Sequence, residues 1–452
     1  MFILLSGHNH LRKINIVFSW NKILSIVNII QIIPGSGGSF YCGNCLRDSK
    51  FYDAMKELGH DVIKIPMYLP LFADEHDLND VPVFYGAISM YLKQQYRIFR
   101  NMPRWMERMF NSKPMLKLAA RQAGSTRATG LEDMTVSMLL GEQGKQKKEL
   151  EEMVDWIARH GNADVIHISN ALLLGLAKQL KEKTGAKIIC SLQDEDVWVD
   201  VMEDPFRNKV WKLMGEKAHD VDHFIAVSDY YAGVSIDRMG LPKEKVTTIH
   251  LGVDPEEYTY RNSAEKPRTI GYISRTCHEN GLDILVDAFH ILKKDAGFED
   301  VKLLITGGHT GDDKKYLREI RKSISENGFE NDVAFRERFD GEDRMQFFNE
   351  VAVMSVPVRN GEAFGIYITE AMASGIPVVQ PEVGAYPEII NKGEGGIIFG
   401  ENNPEKLAEA LKKLLSDKEL LQEQSEKARK SAMENFNIFS LGKTLTGVYE
   451  SL

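Results

Sequence analysis

From Ile29 almost to the C-terminus, short apolar runs alternate with helix-length amphipathic stretches. A short run that is apolar throughout must be covered on both faces, and strands separated by helices run parallel. Strands are expected at 29–33, 62–65, 165–168, 187–191, 224–227 and 246–249, and then at 269–273, 301–306, 333–335, 351–356, 377–379 and 397–399. Between them, residues such as Leu407, Leu411, Leu414 and Leu415 fall on one helical face. The expected fold class is therefore α/β, with doubly wound parallel sheets.

A single hydrophobic core stops growing well short of 452 residues. The polar stretch between Leu251 and Arg268 carries Gly252 and two prolines and has no apolar period, so a boundary is expected there. Ligands of open α/β sheets bind beyond the carboxyl ends of the strands. Two such domains facing each other would share a cleft, which is the default active site. The expected domains are 28–255 and 256–430, with 431–452 crossing back to the first. An extension over 1–27 is expected to lie outside the fold, because its small apolar clusters are broken by charge and it lacks a signal-peptide core.

Charge and cysteine usage narrow the function. Lys plus Arg total 56 against 65 Asp plus Glu, a net charge of −9. That balance argues against general nucleic-acid binding, which needs a basic surface. Four cysteines are too few for a disulfide scaffold, which favours a reducing, cytoplasmic setting. No uncharged apolar run reaches the roughly 18 residues of a membrane-spanning helix. One segment departs from the overall balance: 90–121 holds eight basic residues and one acid, Glu107, mixed with aromatics and five methionines. It reads as a basic helical insertion at about 85–150. Either its aromatics pack on the first domain beneath solvated Arg and Lys heads, or it makes a peripheral contact with an anionic membrane or acceptor.

The strongest local pattern runs from Asn360 to Ser374: a strand, a loop with Gly361 and Gly365, a helix containing Glu370, then Gly375 and another strand. The glycines let backbone amides approach a ligand closely, and the helix N-terminus suits a diphosphate. Glu362 in the loop could meet a sugar hydroxyl, and Glu370 could accept both hydroxyls of a ribose. The bland alternative is a capping carboxylate plus a solvated one. A second Gly-rich loop, Pro34-Gly35-Ser36-Gly37-Gly38-Ser39, follows the first strand and could bring N–H groups to phosphate. The Cys42-Gly43-Asn44-Cys45 motif after it reads as packing near the acceptor pocket, with zinc or redox roles as alternatives.

The segment Glu362 to Glu370, with seven residues between the acids, resembles the signature of retaining glycosyltransferases of family 4, the group 1 glycosyltransferases. Ile225–Ser228, Gly252-Val253-Asp254, Gly271–Arg275, Ile305–Gly308 and Val383–Glu388 are similar to further parts of that family's pattern. The resemblance implies a GT-B fold, with the nucleotide-diphosphate sugar mainly on the second domain and the acceptor on the first. It implies donor-binding roles for Gly37, Gly38, Arg275, Asn280, Glu362, Ala363, Phe364, Gly365, Ile366 and Glu370. Arg275 and Glu362 would carry the catalytic work, and no metal or other cofactor would be required. Ser169, Asn170, Gln193 and Asp194 would lie on the acceptor side.

The sequence also departs from the family. Where the family has a phosphate-clamping Lys five residues after the Arg, this chain has Asn280. Losing a charge-assisted bond to phosphate removes about 1.5–3 kcal/mol unless a neighbour such as His278 or Arg359 compensates. Ser169 and Gln193 stand where many relatives carry histidines. His167 reads as a satisfied core histidine more readily than as a catalyst. Asp194-Glu195-Asp196 would suit the metal-dependent GT-A transferases, but that reading leaves the second half of the chain unused. The expected activity is transfer of a sugar with retention of configuration to an unidentified sugar, lipid-linked or small-molecule acceptor. The alternatives are a non-catalytic sugar-nucleotide or glycan-binding protein of the same fold and a sugar-nucleotide 2-epimerase-like enzyme.

Overall fold

The computed structural model describes residues 26–34, 41, 43–67 and 130–452. Gly37, Gly38, Cys42 and the basic segment 90–121 lie outside the described residues.

The first half forms six parallel strands: β1 Asn28–Ile33, β2 Asp61–Pro66, β3 Val165–Ile168, β4 Lys187–Leu192, β5 His223–Ala226 and β6 Val246–Thr248. They lie in the order β2-β1-β3-β4-β5-β6. The second half repeats the plan with β7 Thr269–Ile273, β8 Lys302–Thr306, β9 Val333–Phe335, β10 Val353–Met354, β11 Val378–Pro381 and β12 Gly396–Phe399. Their order is β12-β11-β10-β7-β8-β9. Each strand falls where an apolar run announced one. β10 is shorter than expected, although Ala352 and Ser355 on either side of it still donate their N–H groups to the Thr269 and Gly271 carbonyls of the neighbouring β7 segment.

The interiors follow the periodicity. Leu407, Leu411, Leu414 and Leu415 are buried on the helix Pro404–Ser416. One face of the first sheet is covered by the helix Gly43–Glu57 and by the final helix Ile438–Ser451, whose Leu445 and Tyr449 pack with Val27, Ile29, Tyr52 and Ile225. Val27 is thus buried just before β1 and donates its N–H to His60, so it belongs to the packed structure. The C-terminal helices return to the first half through Val253, whose N–H and C=O bond Phe436 and Ile438 at 3.0 Å each. Architecturally this is GT-B: two parallel sheets covered by helices, with the last helix packed on the first sheet.

Candidate active site at the junction of the two sheets

The loop after β10 reaches the junction and enters the helix Ile366–Ala373. Gly365 caps that helix at φ +82°, a left-handed conformation that a side chain opposes. A Cβ there would lie 3.0 Å from the Tyr367 ring and 3.3 Å from Cγ of Glu362. The loop is also shaped from outside. Gly384, at φ +56°, packs so closely that a Cβ would sit 2.4 Å from the Glu362 nitrogen. Ala385 N–H bonds the Glu362 carbonyl at 3.0 Å.

The first half closes onto this loop. Ser228, after β5, donates its hydroxyl to the Ala363 carbonyl at 2.6 Å. Asp194, after β4, receives the Ala363 N–H and the Asn44 side-chain amide. Asp194 sits at φ +52°, which costs an ordinary residue about 1–2 kcal/mol. Burial and the neighbouring Asp196 raise its carboxyl above the usual range despite those two donors. Glu362 is raised further, first by burial and then by Asp194. Its Oε2 lies 3.2 Å from the Tyr367 hydroxyl, which is 2.6 Å from that of Tyr386. Phe364 is buried against His250 and Phe436, with ring centroids 5.9 and 6.1 Å away.

Glu370 is fully buried. Its carboxylate accepts from Tyr41 in the first half and from Tyr258 at 2.8 Å, with the Arg344 Nε at 3.3 Å. Tyr41 also bonds the Gly307 carbonyl through its N–H at 2.8 Å, bridging the two halves.

Arg275 makes a bidentate contact with Asp313, both bonds 3.0 Å, and reaches Thr310 at 3.2 Å. The Asn280 side-chain nitrogen gives its hydrogens to Ser274 Oγ at 2.8 Å and the Arg275 carbonyl at 3.1 Å. Asn280 thus braces the turn that carries Arg275. Arg359 clasps the same turn through the His278 carbonyl and both Asp283 oxygens.

On the first-half side, Ser169 and Gln193 are buried and bonded to each other, Gln193 Nε2 to the Ser169 carbonyl at 2.8 Å. Among the described residues, Ser169 Oγ and Gln193 Oε1 have no hydrogen-bond partner. Asn170 caps the turn that follows, accepting from Leu172 N–H at 3.1 Å. Glu195 accepts from Ala171 N, Gln193 N and Tyr231 OH, each at 2.8 Å, so it ties strand ends together. Among the described residues, no cluster of three or more His, Cys, Asp or Glu side chains is arranged to hold a metal ion.

Two sequence profiles cover consecutive parts of this architecture. Residues 142–257, from ahead of β3 through β6, match Glycosyltransferase Family 4. Residues 255–431, the second sheet with its loop, match Glycosyl transferases group 1. The chain belongs to the group 1 glycosyl transferases. Relatives within this family include an uncharacterized glycosyltransferase of Methanocaldococcus jannaschii, 28% identical over 46% of this chain and 55% of that protein. Another is the N-acetyl-alpha-D-glucosaminyl L-malate synthase of Bacillus anthracis, 25% identical over 62% of this chain and 72% of that protein. The chain thus spans little more than half of the first relative's length. Among solved structures, the sucrose-phosphate synthase of Thermosynechococcus elongatus superposes with a TM-score of 0.68 at 17% identity, covering 94% of this chain and 98% of that one. Anabaena HepE in complex with UDP gives a TM-score of 0.66, also at 17% identity, over 94% and 100%. These likenesses establish the GT-B fold.

Sequence reasoning missed several residues of this candidate site. Tyr41, Asn44, Tyr258 and Arg344 are far from the loop in sequence, and only the folded chain brings them to its carboxylates. Tyr367 and Glu388 lay inside recognised motifs, where their identities stood out less than their neighbours.

Proposed function

We propose that this protein transfers a glycosyl group from a nucleoside-diphosphate sugar to an acceptor hydroxyl with retention of configuration, in glycan or glycolipid biosynthesis. The observation that carries this reading is the Gly361–Gly365 loop, entering a helix N-terminus directly opposite Asp194 and Ser228 of the other half. The N–H groups of Gly365 and Ile366 at the helix N-terminus suit the departing diphosphate, and stabilising that charge is the main catalytic task. Arg275, held by Asp313, is oriented before a ligand arrives, and Asn280 acts by bracing its turn. Glu362 faces the transferred sugar. A ribose on Glu370 takes the place of the Tyr41 hydroxyl, while Tyr258 and Arg344 stay. The unpartnered Ser169 Oγ and Gln193 Oε1 suit acceptor hydroxyls near Asn170 and Asp194. Gly37 and Gly38 complete the phosphate side in this reading.

Structures of Anabaena HepE with UDP and with UDP-glucose support a uridine donor as the first to test. Thermal shift and calorimetry with UDP-, GDP- and ADP-sugars test the site. One nucleotide class should raise the unfolding midpoint, Glu362→Gln should weaken the sugar's contribution, and Tyr41→Phe should tighten binding by freeing Glu370. Nuclear magnetic resonance of the product then reads the anomeric configuration. Binding of no donor would overturn the transferase reading and favour a non-catalytic role.

A further inference from the structure

We propose that the first-half side of the junction selects an acceptor anchored by uncharged hydroxyls, and that Gln193 and Ser169 are the residues that turn away a phosphate or carboxylate there. This selection rests on the transferase function proposed above and names the acceptor class of the same site.

Free backbone N–H groups at the ends of strands and the starts of helices are a protein's readiest hold on an anion. Here the protein uses them itself. Ala171 N–H and Gln193 N–H both go to the Glu195 carboxylate at 2.8 Å, so a buried protein carboxylate already spans the ends of β3 and β4. Leu172 N–H goes to Asn170 Oδ1 at 3.1 Å, and Ser169 N–H to the Ile32 carbonyl at 3.0 Å. Among the described residues, the cation in contact with this group is Arg47. It gives Nε and Nη2 to Asp48, and Nη2 also lies 3.3 Å from the Ser169 carbonyl, so its charge is matched within its own helix.

The atoms left over are of a different kind. Gln193 is 4% exposed and donates Nε2 to the Ser169 carbonyl, and that bond fixes which end of its amide is oxygen. Oε1 therefore only accepts, and among the described residues it has no donor. Ser169 Oγ, in a residue 1% exposed, and Asp196 Oδ1 from the same turn as Gln193 are likewise without partners. A hydroxyl has a proton for Gln193 Oε1 and lone pairs for the Ser169 hydroxyl. A phosphate or carboxylate dianion or anion has lone pairs alone. Against Gln193 it leaves a buried oxygen unpaired, and it adds negative charge beside Asp194 and Asp196. The Ser169 hydroxyl and Asn170 Nδ2 are neutral donors, which suit a hydroxyl's lone pairs and do not match a full charge.

Saturation-transfer nuclear magnetic resonance and calorimetry on the full chain, at about pH 8 where the charged compounds are fully ionised, compare matched pairs. These are methyl α-glucopyranoside against methyl α-glucuronide, and myo-inositol against myo-inositol 1-phosphate. The uncharged member should bind at least about tenfold more tightly than its charged counterpart. Ser169→Ala removes an oxygen that holds no protein partner, so the fold should be kept. It should weaken the uncharged compound about fivefold and bring no gain for the charged one. Gln193→Lys places a cation where the amide stood and should narrow or reverse the preference, whereas a packing role would weaken both members alike. If Gln193→Lys does not fold, Ser169→Ala decides. Equal affinities, a preference for the charged members, binding of neither uncharged compound, or an unchanged Ser169→Ala each overturn the proposal. Calorimetry with nucleotide-sugars on the same samples keeps the two readings apart. Nucleotide-sugar binding with a preference for anions overturns the selection alone. The expected preference without nucleotide-sugar binding overturns the transferase function and leaves the preference for hydroxyls standing.

Discussion

His167 occupies β3 with both ring nitrogens engaged, Nδ1 2.6 Å from Tyr449 OH and Nε2 2.7 Å from Ser191 Oγ. Burial first, and then the Arg47 charge, hold its pKa down at about 3. The unfolded chain takes up this proton near pH ~6.5, whereas the folded chain resists it until pH 3 is approached. Stability from this residue is therefore lost as pH falls below ~6.5, by up to about 1.4 kcal/mol per pH unit. Gln has no titrating imidazole, so His167→Gln should flatten the acid limb. Urea midpoints at about pH 7 and about pH 4.5 check this. The stability gap between wild type and variant should shrink at the lower pH, and a constant gap would show that His167 does not titrate as described. The residue is a core histidine, as the apolar run around it suggested. Its partner Tyr449 lies on the last helix, 282 residues away, and no local pattern reveals that pairing.

The loop and helix around Glu362 show what elements add. Strand, glycine loop, helix and strand were legible from residue spacing, because glycine at a turn and apolar runs in strands are local requirements. The exact path of the loop is imposed by a second element. Gly384, between β11 and the helix Tyr386–Gly393, leaves room for the Glu362 backbone, which a Cβ would meet at 2.4 and 2.6 Å. Gly384→Ala should therefore displace the loop and also strain a residue at φ +56°. A cost of about 1–3 kcal/mol is expected in chemical denaturation. Donor-induced thermal shift should be lost at the same time. Retained binding with full stability would mean that the loop tolerates another path. On the opposite side, Asn280 shows why carry-over by motif position was incomplete. Its place in the turn was legible, but the use of both amide hydrogens inside that turn was not.

At the scale of the whole molecule, the two halves meet through a few polar contacts as well as through the returning C-terminal helix. Glu388 accepts the N–H groups of Asp229 and Tyr230 at 2.9 and 3.1 Å, and its Oε1 lies 2.5 Å from His250. It thereby caps the helix Asp229–Met239 of the first half with a carboxylate from the second. Glu388→Ala should release those amides. Hydrogen exchange at 229–231 and along 361–365 should accelerate, while the core strands keep their protection. Unchanged exchange would show that the junction is held elsewhere. The sequence by itself determined the number of strands and their succession along the chain, the parallel two-sheet plan and the placing of Glu362 in a loop and Glu370 on a helix, because apolar periodicity and glycine spacing are properties of neighbouring residues. The order of strands within each sheet came from the tertiary structure. Only the tertiary structure decided that Glu370 is enclosed by Tyr41, Tyr258 and Arg344, that Asp194 faces Glu362, and that two tyrosines connect Glu362 to Val356. Burial raises the Asp194 and Glu362 carboxyls, and that burial depends on partners that the chain brings together only when the two halves close.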